Sequence, residues 1–166
     1  MLGAVWRIVA LAVLAIVLCH AARAGERPEK HDLPVPVEVL KVERADWDRT
    51  SPESAYFGIR SANLADDGDW ILAGFAPDDR QNVHAYLQNP DMRAANSRAQ
   101  RAVTRELISE LLTYKGFVIV AIEAEESEGR SYHKFIPMTE TAEGWAVTNV
   151  LRSDPEFQAL LMDPQK

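Results

Sequence analysis

Two histidines, His84 and His133, are the side chains of this sequence best suited to moving a proton near neutral pH. Acid–base work needs such a group facing a pocket, with a second group to orient it. Asp67 and Asp69 are the acids that would serve. His84 lies at helical spacing from Arg80 and Gln88, on a polar face, and His133 shares strand parity with Ser131 and Phe135. Both also read as plain surface histidines. They stand far apart in the chain, and no His-x-x-x-His spacing accompanies either, so no metal site is expected. Asp66, Asp67 and Asp69 lack the alternating oxygen ligands and the later glutamate of a calcium loop; they read as a helix stop followed by a helix cap. There is no Gly-x-Ser-x-Gly elbow, phosphate loop or dinucleotide fingerprint, so no cofactor is expected. The single cysteine, Cys19, falls in an apolar N-terminal stretch, which leaves the rest of the chain without a thiol nucleophile or a disulfide.

A binding site is the other chemistry the residues offer. Tyr56, Trp70, Tyr86, Tyr114, Tyr132 and Trp145 could line an apolar pocket with polar tips, or simply pack a core.

The elements that must position these groups follow from caps and periodicity. Ser51-Pro52-Glu53 opens a helix that runs to about Ala65 and buries Ala55, Tyr56, Ile59 and Ala62. Gly68 is expected to take a left-handed stop, and Asp69 to cap a short helix with Trp70, Ile71, Leu72 and Phe75. Pro77 ends that helix, and Asp78 and Asp79 open a third around Val83, Tyr86 and Leu87. Asn89-Pro90-Asp91 starts the longest one, predicted over 90–114. Its buried stripe would be Met92, Ala95, Ala99, Ala102, Val103, Leu107, Leu111 and Tyr114, with Lys115-Gly116 as terminator. Three strands are predicted next: a central apolar one over 117–124, a second over 130–141 whose Pro137 marks an edge or bulge, and a third over 145–151. Glu123, Glu125, Glu126 and Glu128 surround the first turn and read as solvated edge protection. Residues 37–42 alternate as an early strand, and Ser153-Asp154-Pro155 caps a last helix with Phe157, Leu160 and Leu161. The fold class is therefore α+β: helices packed on a C-terminal, three- to four-stranded antiparallel meander sheet, cone-like in its curvature.

The chain has 166 residues and a formal charge of −7. Arg7 stands before an uncharged run over 8–18, and Ala22-Arg23-Ala24 supplies a small-x-small ending, so 1–24 reads as an export signal cleaved after Ala24. An uncleaved anchor, or lipidation at Cys19, would be the alternatives. Residues 25–37, with Pro28, Pro34 and Pro36 among charges, read as a flexible linker, and 38–162 as one α+β domain. Removing Arg7 and Arg23 with the signal leaves −9 on the remainder. That balance argues against a nucleic-acid partner and against an anionic membrane surface after cleavage. The expected location is periplasmic or secreted.

The order of a Ser51-Pro52-Glu53 helix start, a Gly68-Asp69-Trp70 break, a long helix, and a meander ending in Trp145-Ala146-Val147-Thr148-Asn149 resembles the nuclear transport factor 2-like, or SnoaL-like, superfamily over about 51–151. The resemblance implies a curved sheet wrapped on helices. The family usually places a strand between its second helix and the long one, where 77–90 of this chain reads as helical. Its members include isomerases, dehydratases, ligand binders and interaction modules, so the resemblance leaves function open. Three roles remain: a non-enzymatic exported domain binding a small apolar ligand or a protein partner; a small isomerase or dehydratase using His84 or His133 with Asp67 or Asp69; and an acidic inhibitor or immunity-type protein meeting a basic partner.

Overall fold

The computed structural model describes residues 28–31 and 36–162. The expected signal segment, Cys19 and most of the expected linker lie outside the described residues. Four residues of the expected linker do not stay free of the domain. Glu29–His31 forms strand β1, paired antiparallel with residues 111–113. Strand β2 is short, Val37–Glu38, and pairs with Leu107 and Ile108 of the same neighbour.

Helix α1 spans Pro52–Ala65, with the Ser51 hydroxyl accepting from the Ser54 amide at 3.2 Å. Ala55, Tyr56, Ile59 and Ala62 are all buried. The left-handed stop falls on Asp66 (φ 54°) and not on Gly68, which is the first residue of α2, Gly68–Ala73. An aspartate tolerates that conformation through local side-chain bonding. The cap of α2 is accordingly Asp67, whose carboxylate accepts from the Trp70 amide at 3.0 Å, and not Asp69. A 3-10 turn at Pro77–Asp79 leads into α3, Arg80–Leu87.

The main correction concerns the long helix. Helix α4 spans only Pro90–Ala102, and strand β3 follows at once over Val103–Tyr114. Val103, Thr104, Ile108 and Thr113 carry branched β-carbons, which stiffen the side chain and suit a pleated surface better than a helix. Lys115 and Gly116, both at positive φ (49° and 80°), form the two-residue turn of a hairpin and not a helix terminator. The alanine stripe of α4 is not a core stripe, because α4 buries no residue. Its inward bonds are polar: Arg93 Nε to Asp66 at 2.8 Å, Asn96 to Asn63 at 2.8 Å, and Gln100 Oε1 accepting from Arg60 at 2.9 Å. It is α1, and not a rod over 92–114, that shields the sheet.

The remaining strands are β4 (Phe117–Glu126), β5 (Ser131–Thr141) and β6 (Gly144–Val147). The sheet order is β1-β3-β4-β5-β6, with β2 also on β3, so the sheet is antiparallel and open, with more strands than expected. The central strand is β4. The third meander strand is shorter than predicted, since 150–153 is a 3-10 turn. On one face Ile108, Val120, Ile122, Met138 and Val147 pack on Ala55, Tyr56 and Ile59 of α1. Each fully buried side chain of this size contributes about 1.5–3 kcal/mol. Gly58 is demanded by that packing: a β-carbon there would lie 2.0 Å from the Trp47 ring. On the other face Tyr114 and Ile119 meet Leu151 and Phe157, the latter from α5 (Pro155–Met162). Lys115 fastens α5 to the hairpin through Asp154 at 2.8 Å and Glu156 at 2.9 Å, and holds both carboxyls below their usual range.

Candidate functional site

Two polar assemblies stand out, one buried and one open. The buried one centres on Glu106 of β3, only 4% exposed. Arg60 Nε of α1 lies 2.6 Å from its Oε2, Lys134 Nζ of β5 donates to its Oε1, and the Tyr56 hydroxyl stands 3.4 Å from both oxygens. Arg60 is also spent on the chain reversal above it. Its Nη1 donates to the Gln100 side chain, and its Nη2 to the carbonyls of Gln100 (2.9 Å) and Val103 (3.4 Å). One guanidinium thus satisfies carbonyls left open where α4 ends, and sets the first residues of β3 beneath α1. Burial, and then the negative charge of Glu106, push the Tyr56 hydroxyl far above its ordinary pKa, so it stays a neutral donor. Glu106 is buried and both of its oxygens are already bonded, which leaves no face for a substrate. The arrangement is a clamp between α1, α4, β3 and β5.

The open assembly is a cleft of about 240 Å³ between α2 and α3, lined by Asp67, Gly68, Asp69, Leu72, His84, Leu87, Gln88 and Arg93. The cap and first turn of α2 supply Asp67 and Asp69, α3 supplies His84 and, just past its end, Gln88, and the start of α4 supplies Arg93. Three of the four residues proposed from sequence for acid–base work therefore meet here. Their contacts are not those of a catalytic pair. Asp67 caps α2 and receives Arg44 Nη1 at 3.0 Å. His84 Nε2 lies 3.4 Å from the Gln88 amide nitrogen, and among the described residues no histidine–carboxylate ion pair is formed. Arg93 is engaged by Asp66, which raises its pKa through the hydrogen bond and the charge. Asp69 is exposed and belongs to no ion pair among the described residues.

His133 is elsewhere. It stands exposed on β5 opposite Glu123 of β4. Its neighbour Lys134 turns toward Glu106 and α1, so His133 points to the other face of the sheet. The six aromatic residues are divided rather than convergent. Tyr56 and Trp145 pack with the α1 core, Trp70 and Tyr86 with Val83 and Leu87, and Tyr114 with Phe157 across the sheet, while Tyr132 is 36% exposed beside Lys134. Among the described residues no cluster of three His, Cys, Asp or Glu could hold a metal, and no helix is long and apolar enough to cross a membrane.

Sequence reasoning missed Arg60, Glu106 and Lys134. Arg60 carried a signal, since it sits four residues after Tyr56 on the buried stripe of α1. Glu106 carried none while β3 was read as helix. No family model, curated protein or solved structure matches this chain.

Proposed function

We propose that this chain is an exported, non-enzymatic binding domain that meets a protein partner, its α2–α3 cleft receiving a cationic side chain of that partner. The observation that carries the reading is Asp69: an exposed carboxylate on the wall of a polar cleft, with no ion-pair partner among the described residues. Asp67, already half satisfied by Arg44, stands beside it. The −7 balance of the chain steers a basic partner toward such a place. The polar lining favours a protein side chain over a small apolar ligand, whose candidate aromatics are spent in separate packing clusters. The acid–base alternative gains from the meeting of His84 with Asp67 and Asp69, but among the described residues the imidazole bonds the Gln88 amide at 3.4 Å and no carboxylate orients it.

The test is a nuclear magnetic resonance titration with N-acetyl-argininamide, with N-acetyl-glutamate diamide as control. The arginine probe should shift the amides of Gly68, Asp69, His84 and Gln88, and Asp69→Asn should abolish most of that response. Equal response to the neutral control, or none to either, overturns the reading.

A further inference from the structure

We infer that the first half of β5 is a docking edge for a second copy of this chain. β6 covers only residues 138–141 of β5, whereas β4 pairs with 131–138. The Pro137 carbonyl accepts from the Thr148 amide at 2.9 Å, so the odd-numbered residues of β5 turn their peptide groups away from β4. Going back along the strand, these are Phe135, His133 and Ser131. β6 does not reach them, and among the described residues no other backbone group bonds to this side. Farther along the same side the sheet is closed: the outer margin of β6 is covered by Arg49 and by residues 74–76, through Trp145 N–H to the Arg49 carbonyl and Val147 N–H to the Gly74 carbonyl, both 2.9 Å. A strand with unpaired amides and carbonyls is a template for another strand.

The side chains select the occupant and its register. Hydrogen-bonded pairs across a two-fold axis must join odd-numbered residues, which allows three registers of useful length. Centring on Tyr132 sets Lys134 directly opposite Arg130 of the other copy. Centring on Lys134 sets the two lysines face to face at the closest type of pair. Both place like charges across the strands, which destabilises them. Centring on His133 keeps Lys134 and Arg130 apart and sets only the two His133 rings opposite each other: Tyr132 then faces Lys134 of the other copy, twice, and Ser131 faces Phe135. Within one chain Lys134 Nζ already lies 5.5 Å from the Tyr132 ring, so the pairing repeats a contact the residues make. Pro137 ends the pairing on one side because it has no amide to give. The two sheets would become continuous through five residues of each chain, and the dimer would form reversibly and depend on concentration.

Sedimentation equilibrium of the chain over a range of concentrations tests this. A monomer–dimer equilibrium is expected. His133→Pro removes an amide that bonds outward and leaves the β4 ladder intact, as Pro137 already does; it should weaken dimerisation by more than about tenfold. Circular dichroism confirms that this variant folds. Tyr132→Lys, at an exposed position, should weaken the dimer by about fivefold, and Tyr132→Glu should strengthen it by about as much, because each change acts twice. A chain that stays monomeric at every concentration overturns the inference, even if it binds an extended peptide along β5. So does a dimer that ignores all three substitutions. The cleft titration reads a separate surface, so either result can fail alone.

Discussion

The Glu106 clamp and the α2–α3 cleft use the same kinds of side chain to opposite ends. In the clamp one carboxylate takes a guanidinium, an ammonium and a phenol, and the guanidinium then spends its remaining donors on the Gln100 side chain and two backbone carbonyls. In the cleft a carboxylate, an imidazole and an amide stand around open space with one weak contact among them. Burial accounts for the difference. An ion withdrawn from water must have its bonds completed inside the protein, whereas a group at the surface can leave them to solvent or to a partner. The heavily bonded Glu106 therefore holds the architecture together, while the groups at the cleft are the ones left open to a partner.

The strongest way to break that contrast is Glu106→Ala. It leaves Arg60 and Lys134 facing each other without their shared counter-charge, at a place where Arg60 is only 7% exposed. A loss of about 3–5 kcal/mol is expected, read from urea denaturation. A loss below about 1 kcal/mol would show that the clamp is not structural and would leave Glu106 without an assigned role.

A smaller effect sharpens the same point through pH. Burial and then Glu106 hold the Tyr56 hydroxyl above its ordinary value of 10.0. The unfolded chain releases that proton near the ordinary value, while the folded chain keeps it. The tyrosine's contribution is therefore whole below about pH 10 and fades as pH rises beyond it, because the unfolded state then binds fewer protons than the folded one. Tyr56→Phe should remove this alkaline slope. It should cost about 0.5–1.5 kcal/mol at neutral pH, since the hydroxyl's hydrogen bonds are long. Thermal melts from pH 8 to 11 on both proteins check the slope, and parallel curves would count against a buried, proton-holding Tyr56.

What could be read from the chain follows the same division. The capped helices were legible because their signals are local: Ser51, Asn89 and Asp154 each bond amides two or three residues ahead. The strands over 117–126 and 131–141 were legible from apolar runs bounded by polar turns, while Pro137 sits inside β5 beside the first residue that β6 pairs, its carbonyl accepting from the Thr148 amide. Residues 103–114 were not, because Val103, Leu107, Leu111 and Tyr114 recur at helical spacing while Ile108 and Tyr114 face opposite sides of a strand kinked between Ile108 and Glu110. That irregularity destroys the simple alternation a strand would show. Glu106 was hidden for a related reason: its partners lie 28 and 46 residues away, on elements that only the folded sheet brings near. The cleft was half legible. Asp67, Asp69 and His84 stood out by type, but Arg93 and Gln88 join them only through the packing of α3 and α4.

The smallest expected effect bears most directly on the contrast. Asp69→Asn and His84→Ala should each change stability by less than about 0.5 kcal/mol, because both residues are exposed and neither caps a helix or pairs with a charge among the described residues. Asp67→Ala is the internal control. Its side chain accepts from the Trp70 amide and meets Arg44, so its replacement should cost measurably more, up to about 1 kcal/mol, although it lines the same cleft. The three variants share a location and differ only in how many internal bonds each residue makes. If chemical denaturation ranks Asp67 above the other two, the open groups contribute little to the fold and stay free to meet a partner. If Asp69 or His84 costs as much as Asp67, the cleft is part of the fold in the way the clamp is, and the docking role assigned to it loses its ground.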